Sequence, residues 1–135
     1  MKVPKSIAVV EDHKPTALLW QRIIRRAGYA CAGRFADAET AWKVLRENPP
    51  SLVLLDWELL GRNGGWLAAR LHGLPVPVRV LVITGHDEPA VLREAIGLPV
   101  NGFVRKPVSP KELALRISEV FAGDTPLTTR HGAAL

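Results

Sequence analysis

The stretch SLVLLDWELL (residues 51–60) is the most informative part of the sequence, because four apolar residues run directly into an acid. Leu52 begins the apolar run, Leu55 completes it, and Asp56 follows. A short run without alternating polar residues predicts a strand buried on both faces, as in a parallel sheet. A carboxylate at the end of such a strand is costly to bury unless its charge is stabilised. The stretch therefore predicts a central strand that ends at a polar site.

The composition is that of a single folded domain. The chain has 135 residues, of which 47% are hydrophobic and 23% charged, and this balance excludes a disordered protein. No apolar run approaches the roughly 20 residues that span a bilayer, and the first residues do not resemble a signal peptide. The lone Cys31 cannot form an intramolecular disulfide, which fits a reducing cytoplasm. We therefore expect a cytoplasmic protein without a membrane segment, and the net charge of +5 favours a solvated surface over a nucleic-acid interface.

Strand-like runs alternate with helical patterns along the whole chain. The predicted strands cover residues 6–10, 29–35, 52–56, 78–84 and 102–105. The predicted helices cover residues 15–28, 37–48, a short segment ending at 71, about 89–96, and a segment that begins after 109. Five strands that are each followed by a helix predict an α/β fold, a doubly wound five-stranded parallel sheet with helices on both faces.

Spacing and capping signals define three of these helices. Leu19 and Ile23 lie at helical spacing in the first helix, and Asp37 and Ser109 are predicted N-caps of the second and last helices. The second helix is predicted to carry three apolar residues on one face: Ala41, Val44 and Leu45. The last helix is predicted to bury a stripe of four: Leu113, Ile117, Val120 and Phe121.

Reactive side chains follow the predicted strands at the point where each strand ends. Five residues occupy these ends: Glu11 and Asp12 after the first strand, Asp56 at the third, Thr84 at the fourth and Lys106 after the fifth. Each of them alone is compatible with an ordinary structural role. In open parallel sheets, however, sites form beyond the carboxyl ends of the strands. The five residues together therefore predict one polar site at this edge.

Three neighbouring carboxylates repel one another unless a cation lies between them. The predicted ligands are all oxygen atoms, which favours a hard ion such as Mg²⁺ over zinc. The four histidines show no metal-ligand spacing: His13, His72, His86 and His131. With Mg²⁺ bound, Asp56 is a carboxylate nucleophile able to attack phosphorus, and Lys106 offsets the charge that develops on the phosphoryl oxygens.

The chain resembles a receiver domain of the two-component response regulator family, over about residues 6–121. Four segments carry the resemblance: VVEDH, LVLLDWELLGRNGG, VLVITG and NGFVRKP. The resemblance implies a flavodoxin-like sheet with strand order 2-1-3-4-5. It also implies a phosphoprotein that signals by a conformational switch rather than an enzyme that turns over a substrate.

By position in the family's motifs, Asp56 is the implied phosphoacceptor. The same resemblance implies a Mg²⁺ site that includes Asp56 itself. Asp12 is the implied direct ligand, Glu11 the implied ligand through water, and Glu58 is implied to bind through its backbone carbonyl.

The resemblance also implies how the signal is read. Thr84 is implied to hydrogen-bond the phosphoryl oxygen, and Lys106 to contact the phosphoryl group. Phe103 occupies the position of the family's aromatic switch residue, which turns inward as the threonine moves. The bond between Lys106 and Pro107 resembles the family's cis peptide, which aims the amine at the site.

The chain departs from the family pattern beside the phosphoacceptor. Leu60 replaces a proline that is usual there, which predicts a less rigid loop. Trp57, Glu58 and His86 are bulky or charged residues that flank the site. We expect Glu58 and His86 to modulate the lifetime of the phosphoryl group by slowing or rerouting attack by water, although side chains that simply point into solvent explain both equally well.

The resemblance implies a histidine kinase or a phosphotransfer protein as the phosphodonor, docking in part on the first helix. The last two helices are candidates for a homodimer interface. We expect residues 1–122 to form the receiver domain and 123–135 to be a C-terminal tail or truncated linker. Contact with nucleic acid is expected only through an output domain that these residues do not include.

Three other interpretations compete with a stand-alone receiver. The segment LTTRHGAAL (residues 127–135) faintly resembles the start of a helix-turn-helix output domain, which favours the receiver half of a DNA-binding regulator. A small Mg²⁺-dependent phosphohydrolase with an aspartyl nucleophile would need a cap insertion, and the sequence has none long enough. A degenerate receiver used only for protein contacts is disfavoured by the intact acidic set.

Overall fold

The computed structural model describes residues 5–59, 61–85, 97–98 and 100–123. The strands are β1 (Ser6–Val10), β2 (Ala30–Phe35), β3 (Leu52–Asp56), β4 (Arg79–Thr84) and β5 (Gly102–Arg105). The helices in the described part are α1 (Lys14–Arg26), α2 (Ala38–Leu45), α3 (Gly64–His72) and α4 (Pro110–Ala122).

All strand pairs are parallel, and the sheet has the order β2-β1-β3-β4-β5. The predicted fold class and strand order are therefore confirmed. The middle strand, β3, is buried along its whole length, as its apolar run predicts. The edge strand β2 is only partly buried, which explains why its sequence carries a weaker strand signal. This order brings the carboxyl ends of β1, β3 and β4 next to one another.

Helices cover both faces of the sheet. Along β1, Ala8 and Val10 pack in the cluster that includes residues of α2 and α3. Ile7 and Val9 point to the opposite face and pack with residues of α1 and α4. Because neighbouring strand residues serve opposite faces, a doubly covered strand needs apolar side chains at every position. This requirement accounts for the unbroken apolar runs in the sequence.

Within the described residues, the predicted helices begin and end within a few residues of the observed ones, but the predicted apolar face of α2 is partly wrong. Val44 is 41% exposed, and Leu19 of α1 is 39% exposed. The buried face of α1 consists of Ala17, Trp20, Ile23 and Ile24. Helical spacing defines a stripe of residues, but the angle at which a helix lies on its sheet decides which side of that stripe is buried.

The N-cap predictions are confirmed. The Asp37 side chain accepts a hydrogen bond from the backbone N–H of Thr40, and Ser109 does the same for Glu112. Leu113, Ile117 and Val120 are buried as predicted, and Phe121 packs against the same cluster. The predicted helix at about residues 89–96 and the tail after residue 123 lie outside the described residues.

Candidate functional site

The turn after β3 positions the central aspartate of the site. Asp56 is 3% exposed. Its Oδ1 accepts a hydrogen bond of 3.0 Å from the backbone N–H of Glu58. The chain then returns against itself: the N–H of Gly64 donates to the carbonyl of Trp57 at 3.0 Å, and a Cβ on Gly64 would lie 2.9 Å from the Trp57 Cα. Glycine is therefore required where α3 begins directly behind the site.

Three carboxylates meet at the carboxyl ends of β1 and β3. Glu11, Asp12 and Asp56 each offer an oxygen atom, and these atoms lie within 4.8 Å of one another. Glu11 is 2% exposed, whereas Asp12 is only partly buried. The sheet order explains the cluster, because β1 and β3 are hydrogen-bonded neighbours. The predicted convergence of these acids is thus observed.

A lysine partly neutralises this cluster. The Lys106 Nζ lies 2.6 Å from Glu11 Oε1 and 3.3 Å from Asp56 Oδ2. Its ammonium also lies 5.6 Å from the centre of the Trp20 ring, within cation–π distance. Burial by itself lowers the pKa of Lys106, but the hydrogen bond to Glu11 and the charges of Asp56 and Glu11 outweigh it, so the pKa lies above its ordinary value of 10.5. Lys106 is therefore a permanent cation at neutral pH.

Backbone contacts hold the lysine in this place. The N–H of Lys106 donates to the carbonyl of Thr84 at 2.8 Å, joining the ends of β5 and β4. The peptide between Lys106 and Pro107 is cis, as the resemblance to the family implies. Glu11 is held as well, because its Oε2 accepts a hydrogen bond of 3.1 Å from the N–H of His13 while its Oε1 contacts Lys106.

The hydroxyl at the end of β4 belongs to the same site. Thr84 is 1% exposed, and its Oγ1 donates a hydrogen bond to Oε1 of Glu58. Glu58 therefore contacts two elements of the site, since its backbone N–H binds Asp56 and its side chain binds Thr84. The sequence predicts Glu58 as a flanking residue and a carbonyl ligand, but it does not predict this side-chain contact.

The remaining predicted residues lie at different depths around the site. Phe103 is partly buried and packs against the cluster that includes residues of α2 and α3. Trp57 is 3% exposed and belongs to that same cluster, so its ring is a core side chain. His86 and Leu60 lie outside the described residues. The effect of Glu58 and His86 on phosphoryl lifetime, and a modulating role of Trp57, stay predictions.

Comparison with known protein families shows which family the chain belongs to. The family "Response regulator receiver domain" matches residues 7–118, which include β2 to β5, all of β1 except Ser6, and the whole carboxylate cluster. The chain belongs to this family. It is therefore a receiver domain of the two-component response regulators.

Curated relatives of this receiver domain are longer regulators. The receiver is 31% identical over 130 residues to the "Methanol utilization control regulatory protein MoxX" of Paracoccus denitrificans, covering 94% of this chain and 58% of that protein. It is 30% identical over 126 residues to the "Phosphate regulon transcriptional regulatory protein PhoB" of Pseudomonas aeruginosa, covering 92% of this chain and 55% of that protein. The chain thus spans little more than half the length of these regulators.

Solved structures share the fold of the receiver. A "two-component response regulator, LuxR family" from Aurantimonas sp. SI85-9A1 superposes with a TM-score of 0.80 at 30% identity, covering 95% of this chain and 94% of that one. A CheY-like receiver domain protein from Methanospirillum hungatei JF-1 has a TM-score of 0.80 at 22% identity, covering 87% and 93%. In the receiver's described segments, no helix is both long and apolar enough to cross a membrane.

Two contacts in the receiver had no clear signal in the sequence. The pairing of Lys106 with Glu11 joins residues 95 positions apart, and the Glu58–Thr84 hydrogen bond joins residues 26 positions apart. The sequence shows that acids and a lysine lie at strand ends, but it does not say which side chains pair. An acid two residues beyond a strand-end aspartate is the one available hint for Glu58.

Proposed function

We propose that this receiver accepts a phosphoryl group on Asp56 and signals through the change of charge that follows. One observation carries the proposal: Asp56 Oδ2 lies 3.3 Å from the Lys106 ammonium, inside a cluster of three carboxylates. A buried carboxylate that is held by a backbone N–H and faces a cation is oriented as a nucleophile. The same cation can offset the charge of an incoming phosphoryl group.

The carboxylate cluster fits a divalent cation. Its ligand atoms are all oxygens that lie close enough together to share one ion, and oxygen ligands suit Mg²⁺. Asp12 and Asp56 would bind it directly, with Glu58 contributing its backbone carbonyl. Both Glu11 oxygens already accept hydrogen bonds, which supports a place for Glu11 behind a bridging water. When bound, Mg²⁺ supplies positive charge that stabilises the phosphoryl oxygens.

The chemical step is a phosphoryl transfer between two carriers. A carboxylate oxygen of Asp56 forms a bond to phosphorus, and the bond between phosphorus and the donor breaks with its electron pair going to the donor. Lys106 is protonated at neutral pH before the transfer, because its hydrogen bond to Glu11 and the charges of Asp56 and Glu11 raise its pKa above the ordinary value. It can therefore leave Asp56 Oδ2 and pair with a phosphoryl oxygen without a proton transfer.

The phosphoryl group then acts as a switch. An acyl phosphate carries about two negative charges and adds strong acceptor oxygens. The Thr84 hydroxyl at the adjacent strand end can donate to one of them, and its movement would free space for the Phe103 ring. Partial burial of Phe103 supports this role, since a partly buried ring can exchange between an inner and an outer position.

The direct test is phosphorylation by a small donor. The protein is incubated with Mg²⁺ and acetyl phosphate, and its intact mass is measured over time. We expect one added phosphoryl group in the wild type and none in Asp56→Asn. Asp37→Asn is the matched control, because it changes an aspartate at the preceding strand–helix junction of the chain and should leave the mass increase intact.

Two outcomes would contradict the proposal. Equal phosphorylation of wild type and Asp56→Asn would place the modification elsewhere. Release of inorganic phosphate far in excess of protein, with no phosphoprotein detected, would instead support a Mg²⁺-dependent aspartyl phosphohydrolase. Absence of a mass change after removal of Mg²⁺ by a chelator is the expected companion result.

The phosphodonor is proposed to be a histidine kinase or a phosphotransfer protein in the cytoplasm. Residues of α1 line an open groove that would suit such a partner, and all of them except the partly buried Gln21 are exposed: Leu18, Gln21, Arg22, Arg25 and Arg26. We also propose a homodimer through α4 and the segment at about residues 89–96, which the sequence predicts as a helix and which lies outside the described residues. Phosphorylation followed by light scattering tests the dimer.

A second role follows from the relatives. The printed name of PhoB describes a transcriptional regulator. We infer that this receiver, residues 1–122, controls a DNA-binding output domain joined through residues 123–135. The length of the native reading frame tests this, because a frame that stops at Leu135 would leave the receiver to act through protein contacts.

A further inference from the structure

The hydroxyl of Thr84 is already engaged in the unphosphorylated receiver. Its Oγ1 donates to Oε1 of Glu58, across the gap between the ends of β3 and β4. Thr84 is 1% exposed, whereas Glu58 is partly exposed. The donor is thus held in place by its strand, and its acceptor lies on a turn nearer the surface.

A threonine hydroxyl has one proton to donate. While that proton lies toward Glu58, it cannot be donated to a phosphoryl oxygen on Asp56. The two acceptors are neighbours, because the backbone N–H of Glu58 also binds Asp56 Oδ1 at 3.0 Å. The Glu58 carboxylate and a phosphoryl group on Asp56 therefore compete for one donor, and both are anionic.

We propose that Glu58 is a positioning residue that occupies the Thr84 hydroxyl in the resting state, so that phosphorylation must displace the Glu58 side chain before Thr84 can switch. This inference rests on the proposed function of Asp56. The role of Glu58 concerns the free energy needed to switch, whereas the proposed function concerns the site of phosphorylation. Different experiments therefore test the two claims.

The charges in the site strengthen the competition between the Glu58 carboxylate and the phosphoryl group for the Thr84 hydroxyl. The Lys106 ammonium is shared between Glu11 and Asp56. A phosphoryl group on Asp56 would bring further negative charge toward the Glu58 carboxylate, and like charges in a partly buried site repel. The switched state is reached when Thr84 exchanges one anionic acceptor for the other and Glu58 turns toward solvent.

A double-mutant cycle with a phosphoryl analogue tests the inference. The affinity of beryllofluoride, with saturating Mg²⁺, is measured by calorimetry for wild type, Glu58→Ala, Thr84→Val and the double variant. We expect Glu58→Ala to tighten binding by about tenfold when Thr84 is present, the factor expected for a hydrogen bond to a charged group. In the Thr84→Val background the gain should be much smaller, because only the charge effect remains.

Glu58→Gln separates charge from hydrogen bonding. Its amide oxygen can still accept from Thr84, so its affinity for beryllofluoride should fall between those of wild type and Glu58→Ala. An affinity equal to that of Glu58→Ala would assign the whole effect to charge and would overturn the inference. So would equal gains from Glu58→Ala in the two Thr84 backgrounds.

A measurement without metal or analogue gives an independent readout. Urea unfolding of the same four proteins in the presence of a chelator should show coupling between Glu58 and Thr84, and strictly additive effects would contradict the inference. If beryllofluoride binds equally well to wild type and Asp56→Asn, the proposed function fails instead. Binding that needs Asp56 but shows no coupling rejects only the role of Glu58.

Discussion

Two aspartates at strand–helix junctions have opposite surroundings. Asp37 follows β2 near the surface, and its two oxygens accept hydrogen bonds from the N–H and the hydroxyl of Thr40, at 2.7 and 3.0 Å. Asp56 ends β3 in the interior, where its two oxygens meet the Glu58 N–H and the Lys106 ammonium. Both carboxylates have partners, but Thr40 is three positions from Asp37, whereas Lys106 is 50 positions from Asp56.

The difference separates a structural aspartate from a reactive one. The Asp37 carboxylate accepts its hydrogen bonds from Thr40 in the helix that it caps. Those partners are fixed by the helix itself, so we expect Asp37 to keep them. Asp56 depends on charges brought by other strands, and those charges can be redistributed when a ligand arrives. A site that responds to phosphorylation needs this second kind of carboxylate.

The largest effect is expected when the distant partner of Asp56 is removed. Lys106→Met leaves two buried carboxylates without their cation, which should lower the free energy of unfolding by about 3 kcal/mol in a chelator, at the low end for broken buried pairs because Lys106 is partly exposed. Added Mg²⁺ should stabilise Lys106→Met more than wild type, since the ammonium no longer opposes the ion. Urea unfolding at pH 7 measures both.

Lys111→Met is the control for this prediction, because Lys111 is exposed on α4 and its loss should change stability little. Equal losses of unfolding free energy in the two variants would show that the charge pairing of Lys106 contributes nothing to stability.

The contribution of Lys106 to stability also depends on pH. The pKa of Lys106 is raised, so its contribution is fully present below the unfolded value of 10.5 and is lost as the pH rises through the higher folded value. Because Lys106 stays charged in this range, the stability difference between wild type and Lys106→Met should not fall between pH 7 and pH 9.

A smaller effect is expected behind the reactive aspartate. Gly64→Ala would place a Cβ 2.9 Å from the Trp57 Cα and 3.0 Å from the Asp56 carbonyl oxygen. Backbone atoms cannot move aside as a flexible side chain can, so the loss should be about 2 kcal/mol. Thermal unfolding would show it as a lower Tm.

Gly73→Ala, at the other end of α3, is the control for Gly64→Ala, because it should not lower the Tm. Its Cβ would approach nothing closer than 3.5 Å, and its φ is −76°. Alanine at a compatible glycine position reduces the freedom of the unfolded chain, so the Tm should stay the same or rise slightly. A fall in Tm of equal size in both variants would mean that the contact behind Asp56 is not the cause.

The smallest effect is expected at the locally satisfied aspartate. Asp37→Ala should lower the free energy of unfolding by about 1 kcal/mol through loss of the N-cap, and Asp37→Asn should retain most of it. The hydrogen bonds from Thr40 hold the pKa of Asp37 below its ordinary value of 3.8. The ionised carboxylate's contribution is therefore present above pH 3.8 and disappears as the pH falls through the lower folded value.

Urea unfolding of wild type and Asp37→Asn at several pH values checks this sign. The stability difference between them should be constant near neutral pH and should shrink in acid. A stability difference between wild type and Asp37→Asn that grows on acidification would contradict a lowered pKa of Asp37. Phosphorylation by acetyl phosphate should be unchanged in both Asp37 variants.

Local signals predicted much of this molecule. The bounds of β5, the N-caps at Asp37 and Ser109, and the burial of β3 follow from neighbouring residues, because capping and strand burial depend on a few positions along the chain. The exposure of Leu19 and Val44 was not predicted. Helical spacing leaves several rotations of a helix acceptable, and contact with the sheet selects one of them.

Acids, a hydroxyl and a lysine at the carboxyl ends of parallel strands can be predicted from the amino-acid order alone, because each apolar run stops where its strand ends. The pairing of Lys106 with Glu11 and the hydrogen bond from Thr84 to Glu58 depend on the folded chain. Those pairings depend on strand order, register and side-chain reach across the sheet. They arise when distant segments pack together, so no local pattern specifies them.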